Sequence, residues 1–180
     1  MKPRHLLATL TLAVGISPAA HAINNDQWAN ISDVTAYGLL GAGLAAPTLR
    51  GDWQGLRQAA FSIGSASGVA TLGKAVFKET RPDRSDRNSF PSGHTSVAFA
   101  SATTLHRRYG WEYGVPAYAL ATLTGTARVA AKKHFWWDVV AGAAIGTTTG
   151  WFFTDPFDNK VQLIPWADSK GGGVLVGVTW

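Results

Sequence analysis

The chain has 180 residues, no cysteine, and 16 basic against 11 acidic residues, for a formal charge of +5. Without thiols it can form neither disulfides nor thiolate metal sites, and so mild a positive excess does not mark a nucleic-acid binder. Charged residues are only 15% of the chain and glycines number 20, a balance that points to one domain of closely packed, small-residue helices.

Residues 1–22 carry a basic start (Lys2, Arg4), an apolar run from Leu6 to Val14, and the small-residue ending Ala20-His21-Ala22. This order is that of a secretory signal cut after Ala22, and it sends residues 23–180 to an exported, periplasmic location. Cleavage removes two bases and no acid, lowering the formal charge to +3. An uncleaved anchor helix is the alternative, but the apolar run is short for a span and is followed by Pro18.

Four later segments contain no Asp, Glu, Lys or Arg: Val34 to Leu49, Gln58 to Gly73, Tyr113 to Ala127 and Val139 to Thr154. At 15 or 16 residues each they fall short of the roughly 20 needed to cross a bilayer, and their Ser, Thr, Gly and Gln suit helix-on-helix packing. A soluble bundle, a membrane-associated one and an inserted one all stay open. Pro47 with Gly51, Pro82, Pro91, Pro116 and Asp155-Pro156 punctuate the pattern. Together these segments predict an all-α bundle of about five or six helices. The tail changes character: Lys160 to Trp166 and Val174 to Trp180, around the turn-forming residues 168–173, predict a small C-terminal β-hairpin.

Three clusters carry chemistry. Lys74 and Arg81 are seven apart, which on a helix places both on one face, about 10 Å apart along the axis, able to converge on one anion. Pro91-Ser92-Gly93-His94 precedes a helical run from Thr95 to Leu105, so Ser92, Gly93 and His94 fall at a helix N-terminus, where free N–H groups bind phosphate. Arg128, His134 and Asp138 form the third. His134 and Asp138 are four apart, one helical turn, and the carboxylate can fix the imidazole tautomer, as a nucleophilic histidine requires. A metal held by His94, His134 and Asp138 is the competing use of these side chains, but the nearby cations would repel it and would suit phosphate.

In order and spacing these residues resemble the type 2 phosphatidic acid phosphatase superfamily, which includes bacterial class A acid phosphatases and vanadium haloperoxidases. The family pattern K-x6-R-P, P-S-G-H and S-R-x5-H-x3-D is matched by Lys74 with Arg81-Pro82, by Pro91 to His94, and by Arg128, His134 and Asp138. The resemblance spans about Gly73 to Gly146. Ala127 replaces the family serine, and only eight residues separate Pro82 from Pro91. The resemblance implies a phosphatase without metal or other cofactor. Lys74, Arg81 and Arg128, with backbone N–H groups of Ser92 and Gly93, would hold phosphate oxygens. His134 would attack phosphorus, Asp138 would orient it, and His94 would serve as acid and then base. For that, His134 must be unprotonated and His94 protonated at the start.

Lys132, Lys133, Phe135, Trp136 and Trp137 form a basic and aromatic set beside the predicted site, suited to a membrane surface and lipid headgroups. A lipid phosphate is accordingly the expected substrate: phosphatidic acid-like, isoprenyl diphosphate or lipid A phosphate. A soluble, broad-specificity acid phosphatase is the alternative, with a vanadate-dependent haloperoxidase or an inactive lipid-binding module further off.

Overall fold

The structure, a computed structural model, describes residues 23–157, 161–168 and 171–178. The signal sequence, the hairpin residues Ser169 and Lys170, and Trp180 lie outside the described residues. Within them the order is α1 (Asn25–Leu49), α2 (Trp53–Phe77), α3 (Gly93–Tyr109), α4 (Trp111–Ala130), α5 (Trp136–Phe153), β1 (Val161–Asp168) and β2 (Gly171–Val178). The fold is the all-α bundle with a C-terminal hairpin that the sequence pattern predicts.

Each helix end has a local cause. Asn24 opens α1 with a capping box, its side chain accepting the Gln27 N–H at 2.8 Å while Gln27 Oε1 accepts the Asn24 N–H. Asp52 caps α2 by accepting the Gly55 N–H at 2.9 Å. Two boundaries differ from expectation. The second helix stops at Phe77, not at Pro82, because Lys78 turns left-handed at φ 43°. Arg81 is therefore not one helical face along from Lys74; a loop brings it back, with its N–H donating to the Asp86 carbonyl. Likewise α4 begins at Trp111 after Gly110 (φ 88°), five residues ahead of Pro116, which sits inside the helix.

Helix α3 runs through the middle and packs against the other four. Its interior is small and hydroxylated: Ala98, Ala100, Ala102, Ser96, Ser101 and Thr103 are all inaccessible. Gly142, Gly146 and Gly150 stack one turn apart along α5 and let its backbone settle against α3; a Cβ on Gly146 would lie 2.2 Å from the Ser96 carbonyl oxygen. At the far end of the bundle Arg108 pairs with Asp52 through both nitrogens, at 2.6 and 2.7 Å, in a buried lock that also takes the Tyr109 hydroxyl. The bulky apolar residues are largely outside, among them Val34, Leu72, Val76, Trp136 and Val140. Among the described residues no helix is long and apolar enough to cross a membrane.

Strands β1 and β2 pair antiparallel with Asp168 opposite Gly171, and β1 lies against α2. Gly171 to Gly173 thus belong to the second strand and not to the turn, since extended glycines complete the ladder as any residue would.

Candidate active site

The site gathers where α2 and α4 end and α3 and α5 begin, so that helix N-termini and cationic side chains face one cavity of about 330 Å³. Lys74, Arg81, Gly93, His94, Arg128 and His134 all line it. The three sequence clusters therefore converge in space.

His134 is buried, at 2% exposure, and lies in the turn before α5, with Asp138 at the third position of the helix. The pair meets across a helix start, not along a helical face as the four-residue spacing suggests. His134 Nδ1 stands 3.3 Å from Asp138 Oδ2, which also accepts the Phe135 N–H at 2.9 Å and the Ser89 hydroxyl at 2.5 Å. A carboxylate oxygen fixed by two other donors holds the ring with Nδ1–H toward it, leaving Nε2 with its lone pair. Burial, then the positive fields of Lys74, Arg128 and Arg81, lower the His134 pKa to about 3 against the opposing pull of Asp138. The imidazole is neutral at any ordinary pH, the state a nucleophile needs.

Each cation is held by a neighbouring group of the chain. Lys74 Nζ donates to the Asn88 carbonyl at 2.6 Å, and burial followed by the Arg81 charge lowers its pKa to about 8. Arg81 pairs with Asp86 at 2.8 Å. Arg128 Nη1 reaches Ser32 Oγ at 3.2 Å and Asp33 at 3.4 Å, while its buried Nε has no hydrogen-bond partner among the described residues. A phosphate in the cavity can satisfy such a group.

Ser92 caps α3 and is wholly buried, but its N–H donates to the Asp138 carbonyl at 3.0 Å and its hydroxyl bonds Thr95. That corrects the expectation that the Ser92 N–H is free for phosphate: it ties the start of α3 to α5. Gly93 and His94, in the first turn, keep N–H groups without helical partners. Gly73 lets α2 pass close to this turn, since a Cβ there would lie 2.5 Å from Pro91 Cδ. His94 Nε2 stands 3.0 Å from Asp33, and burial with the charge of Arg128 lowers its pKa to about 4. Burial and the surrounding cations thus disfavour a proton on His94 as well. Ala127, in place of the family serine, is fully buried.

The basic and aromatic set divides. Trp136 (65% exposed) and Lys132 face outward. Lys133 is drawn into an ion pair with Asp83 at 2.7 Å, and Trp137 stacks on Phe135 and donates its indole N–H to Glu79. Two residues that sequence reasoning missed are Asp33 and Ser89; a serine three residues ahead of Ser92 and an acid on α1 carry no local signal, and only packing brings them in.

The fold is that of a known helical class: a solved structure described as "Crystal structure of Aquifex aeolicus LpxE" aligns with a TM-score of 0.63 over 74% of this chain and 87% of that one, at 24% identity. Residues 55–161 match the PAP2 superfamily, and the chain belongs to that superfamily. A "Lipid A 4'-phosphatase" of Helicobacter pylori (strain J99) is 30% identical over 145 residues, covering 74% of this chain and 73% of the relative. A "Lipid A 1-phosphatase" of Porphyromonas gingivalis is 41% identical over 95 residues, 51% of this chain. The chain covers only 21% of the length of that second relative.

Proposed function

We propose that this protein is a phosphatase that hydrolyses lipid phosphates, of the lipid A kind, through a phosphohistidine on His134. The observation that carries the reading is the buried, neutral imidazole of His134, held by Asp138 in a cavity rimmed by Lys74, Arg81 and Arg128. Both named relatives are lipid A phosphatases, which supports the phosphatase class and the substrate type. The cavity supports it as well, because its wall is apolar at Ala36 and Leu40 of α1, Ala70 of α2 and Val97 of α3 and can receive the greasy part of a lipid beside its phosphate. The outward-facing Trp136, Val140 and Lys132 fit contact with a membrane surface, and residues 1–22, read as a leader, would carry residues 23–180 to the periplasm.

In the proposed reaction Lys74, Arg81 and Arg128, with the first-turn N–H groups of α3, hold the phosphate oxygens and offset charge as the transition state forms. His134 Nε2 bonds to phosphorus while the ester P–O bond breaks, and His94 gives its proton to the departing oxygen. Water then attacks phosphorus, its proton passes to His94, and the P–N bond breaks with its electron pair returning to His134. Asp138 and Ser89 keep the ring aimed throughout.

The test is phosphate release by the purified protein from detergent-solubilised lipid A and from a soluble phosphomonoester, with EDTA present, for wild type and His134→Ala. Turnover of lipid A that disappears in His134→Ala supports the reading. Exclusive turnover of the soluble ester removes the lipid substrate, near-normal activity of His134→Ala removes the nucleophile, and loss on chelation counts against the metal-free route.

A further inference from the structure

Asp33 stands on α1, outside the residues that match the family, and its carboxylate occupies the rim of the cavity. Its Oδ1 lies 3.0 Å from His94 Nε2 and 3.4 Å from Arg128 Nη1, with the side chain 45% exposed. One turn along α1, Tyr37 meets the His94 ring edge-on at a centroid distance of 5.6 Å. The charged and titratable groups facing His94 are therefore Asp33 and Tyr37 from α1, Lys74 from α2, Arg81 from the loop after it, Arg128 from α4 and His134 from the turn before α5. Burial and the three cations disfavour a proton on His94; of the groups that act on it, Asp33 pulls the other way.

We infer that Asp33 is a positioning residue for His94: it orients the ring by accepting the Nε2–H and stabilises the imidazolium whose Nδ1 proton goes to the leaving oxygen. This rests on the phosphohistidine reading of the same site. A bound phosphate dianion offsets two of the three cationic charges, so Asp33 and the substrate together make the imidazolium the stable form once the cavity is filled. The proton moves from His94 to the ester oxygen as the P–O bond breaks; Asp33 itself neither gains nor loses one. A second role is excluded by the same test: if Asp33 served only to brace Arg128, its loss would weaken phosphate binding for every substrate alike.

Leaving-group dependence separates the two. A nitrophenolate departs without a proton, whereas a lipid or other alkyl phosphate expels an alkoxide that must be protonated. The measurement is kcat and kcat/KM across pH for wild type, Asp33→Asn and Asp33→Glu on nitrophenyl phosphate and on an alkyl phosphate, with thermal unfolding to verify that each variant is folded. Asp33→Asn is expected to lose about 10- to 100-fold in kcat/KM on the alkyl ester, within the usual range for general acid catalysis, and little on the nitrophenyl ester. The alkaline limb of kcat on the alkyl ester is expected to move down by about one pH unit, and Asp33→Glu to recover most of the loss. Equal losses on both esters with an unmoved alkaline limb, or no loss on either, overturns the inference. Absence of turnover by wild type, or full activity of His134→Ala, is instead the failure of the phosphohistidine reading itself.

Discussion

The contact of α5 with α3 makes one substitution change sign with position. On Gly146 an added methyl would lie 2.2 Å from the Ser96 oxygen and 2.7 Å from the Ala100 nitrogen, both backbone atoms that cannot rotate aside. Ordinary contact distances near 3.5 Å then require α5 to retreat by about 1 Å. Overpacking of this kind costs about 1–3 kcal/mol, against which alanine returns about 1 kcal/mol of helix propensity. With rigid atoms on the other side the upper part of that range applies, and Gly146→Ala should destabilise by about 2 kcal/mol, a fall in Tm of roughly 4–8 °C for a chain of this size. Gly64 on α2 has nothing within 4 Å of the added carbon, so Gly64→Ala should raise Tm by about 2–4 °C. Activity should follow, because α5 carries Asp138 and a 1 Å displacement of a reacting group can lose about 10²-fold. Thermal unfolding followed by circular dichroism, in one buffer and detergent, decides it. Equal shifts of the same sign for the two variants would refute the close-packing account of the glycine row.

Arg108→Ala leaves Asp52 buried and unpaired, and should destabilise by about 3–5 kcal/mol in denaturant unfolding while lying at the opposite end from the site. Ser89→Ala removes one donor from Asp138 Oδ2 and should lower kcat about 10- to 150-fold with KM little changed, the effect of losing a hydrogen bond to a charged group. His94 and His134 have folded pKa values of about 4 and about 3, below the ordinary 6.5. The folded state therefore binds fewer protons than the unfolded one between these limits. Their contribution to stability is complete above about pH 6.5 and is lost as pH falls toward 3, so Tm should drop across that window, and less steeply in His134→Gln. Orthovanadate, a phosphate mimic, should inhibit wild type competitively and bind Arg128→Ala at least 10-fold more weakly, the loss of one charge-assisted contact.

What the sequence makes legible here is the part of the site that repeats at fixed spacing. Lys74, the Pro91 to His94 turn, Arg128, His134 and Asp138 stand out because types and intervals coincide. Their convergence in one cavity follows from helices that begin or end beside each motif. Four of the five helices were readable from the charge-free segments, and α3 from the helical run after His94. Less was readable of what single residues do through packing. Lys78 gives no sign that it ends α2, since a left-handed lysine is selected by the loop that returns Arg81. Ser92 looks like a phosphate donor until Asp138 of α5 is seen to occupy its N–H. Asp33 and Asp52 lie 61 and 56 residues from the partners that give them meaning, His94 and Arg108, and no local pattern links residues so far apart.

The charge of the cavity explains why a proton is disfavoured on both histidines. Lys74, Arg81 and Arg128 stand close together, and the one fully buried carboxylate near them, Asp138, has its bonded oxygen committed to Ser89, Phe135 and His134. The cavity carries an excess of positive charge that the Asn88 carbonyl, Asp86 and the rim carboxylate Asp33 offset only in part. Protonating an imidazole there would add a further cation, so the proton stays off. In the proposed reaction a phosphate dianion would relieve the three cations and favour a proton on His94, the more exposed of the two, while the deeper His134 would keep its lone pair. One binding event would thus set the two imidazoles in the opposite protonation states that the proposed acid and nucleophile require.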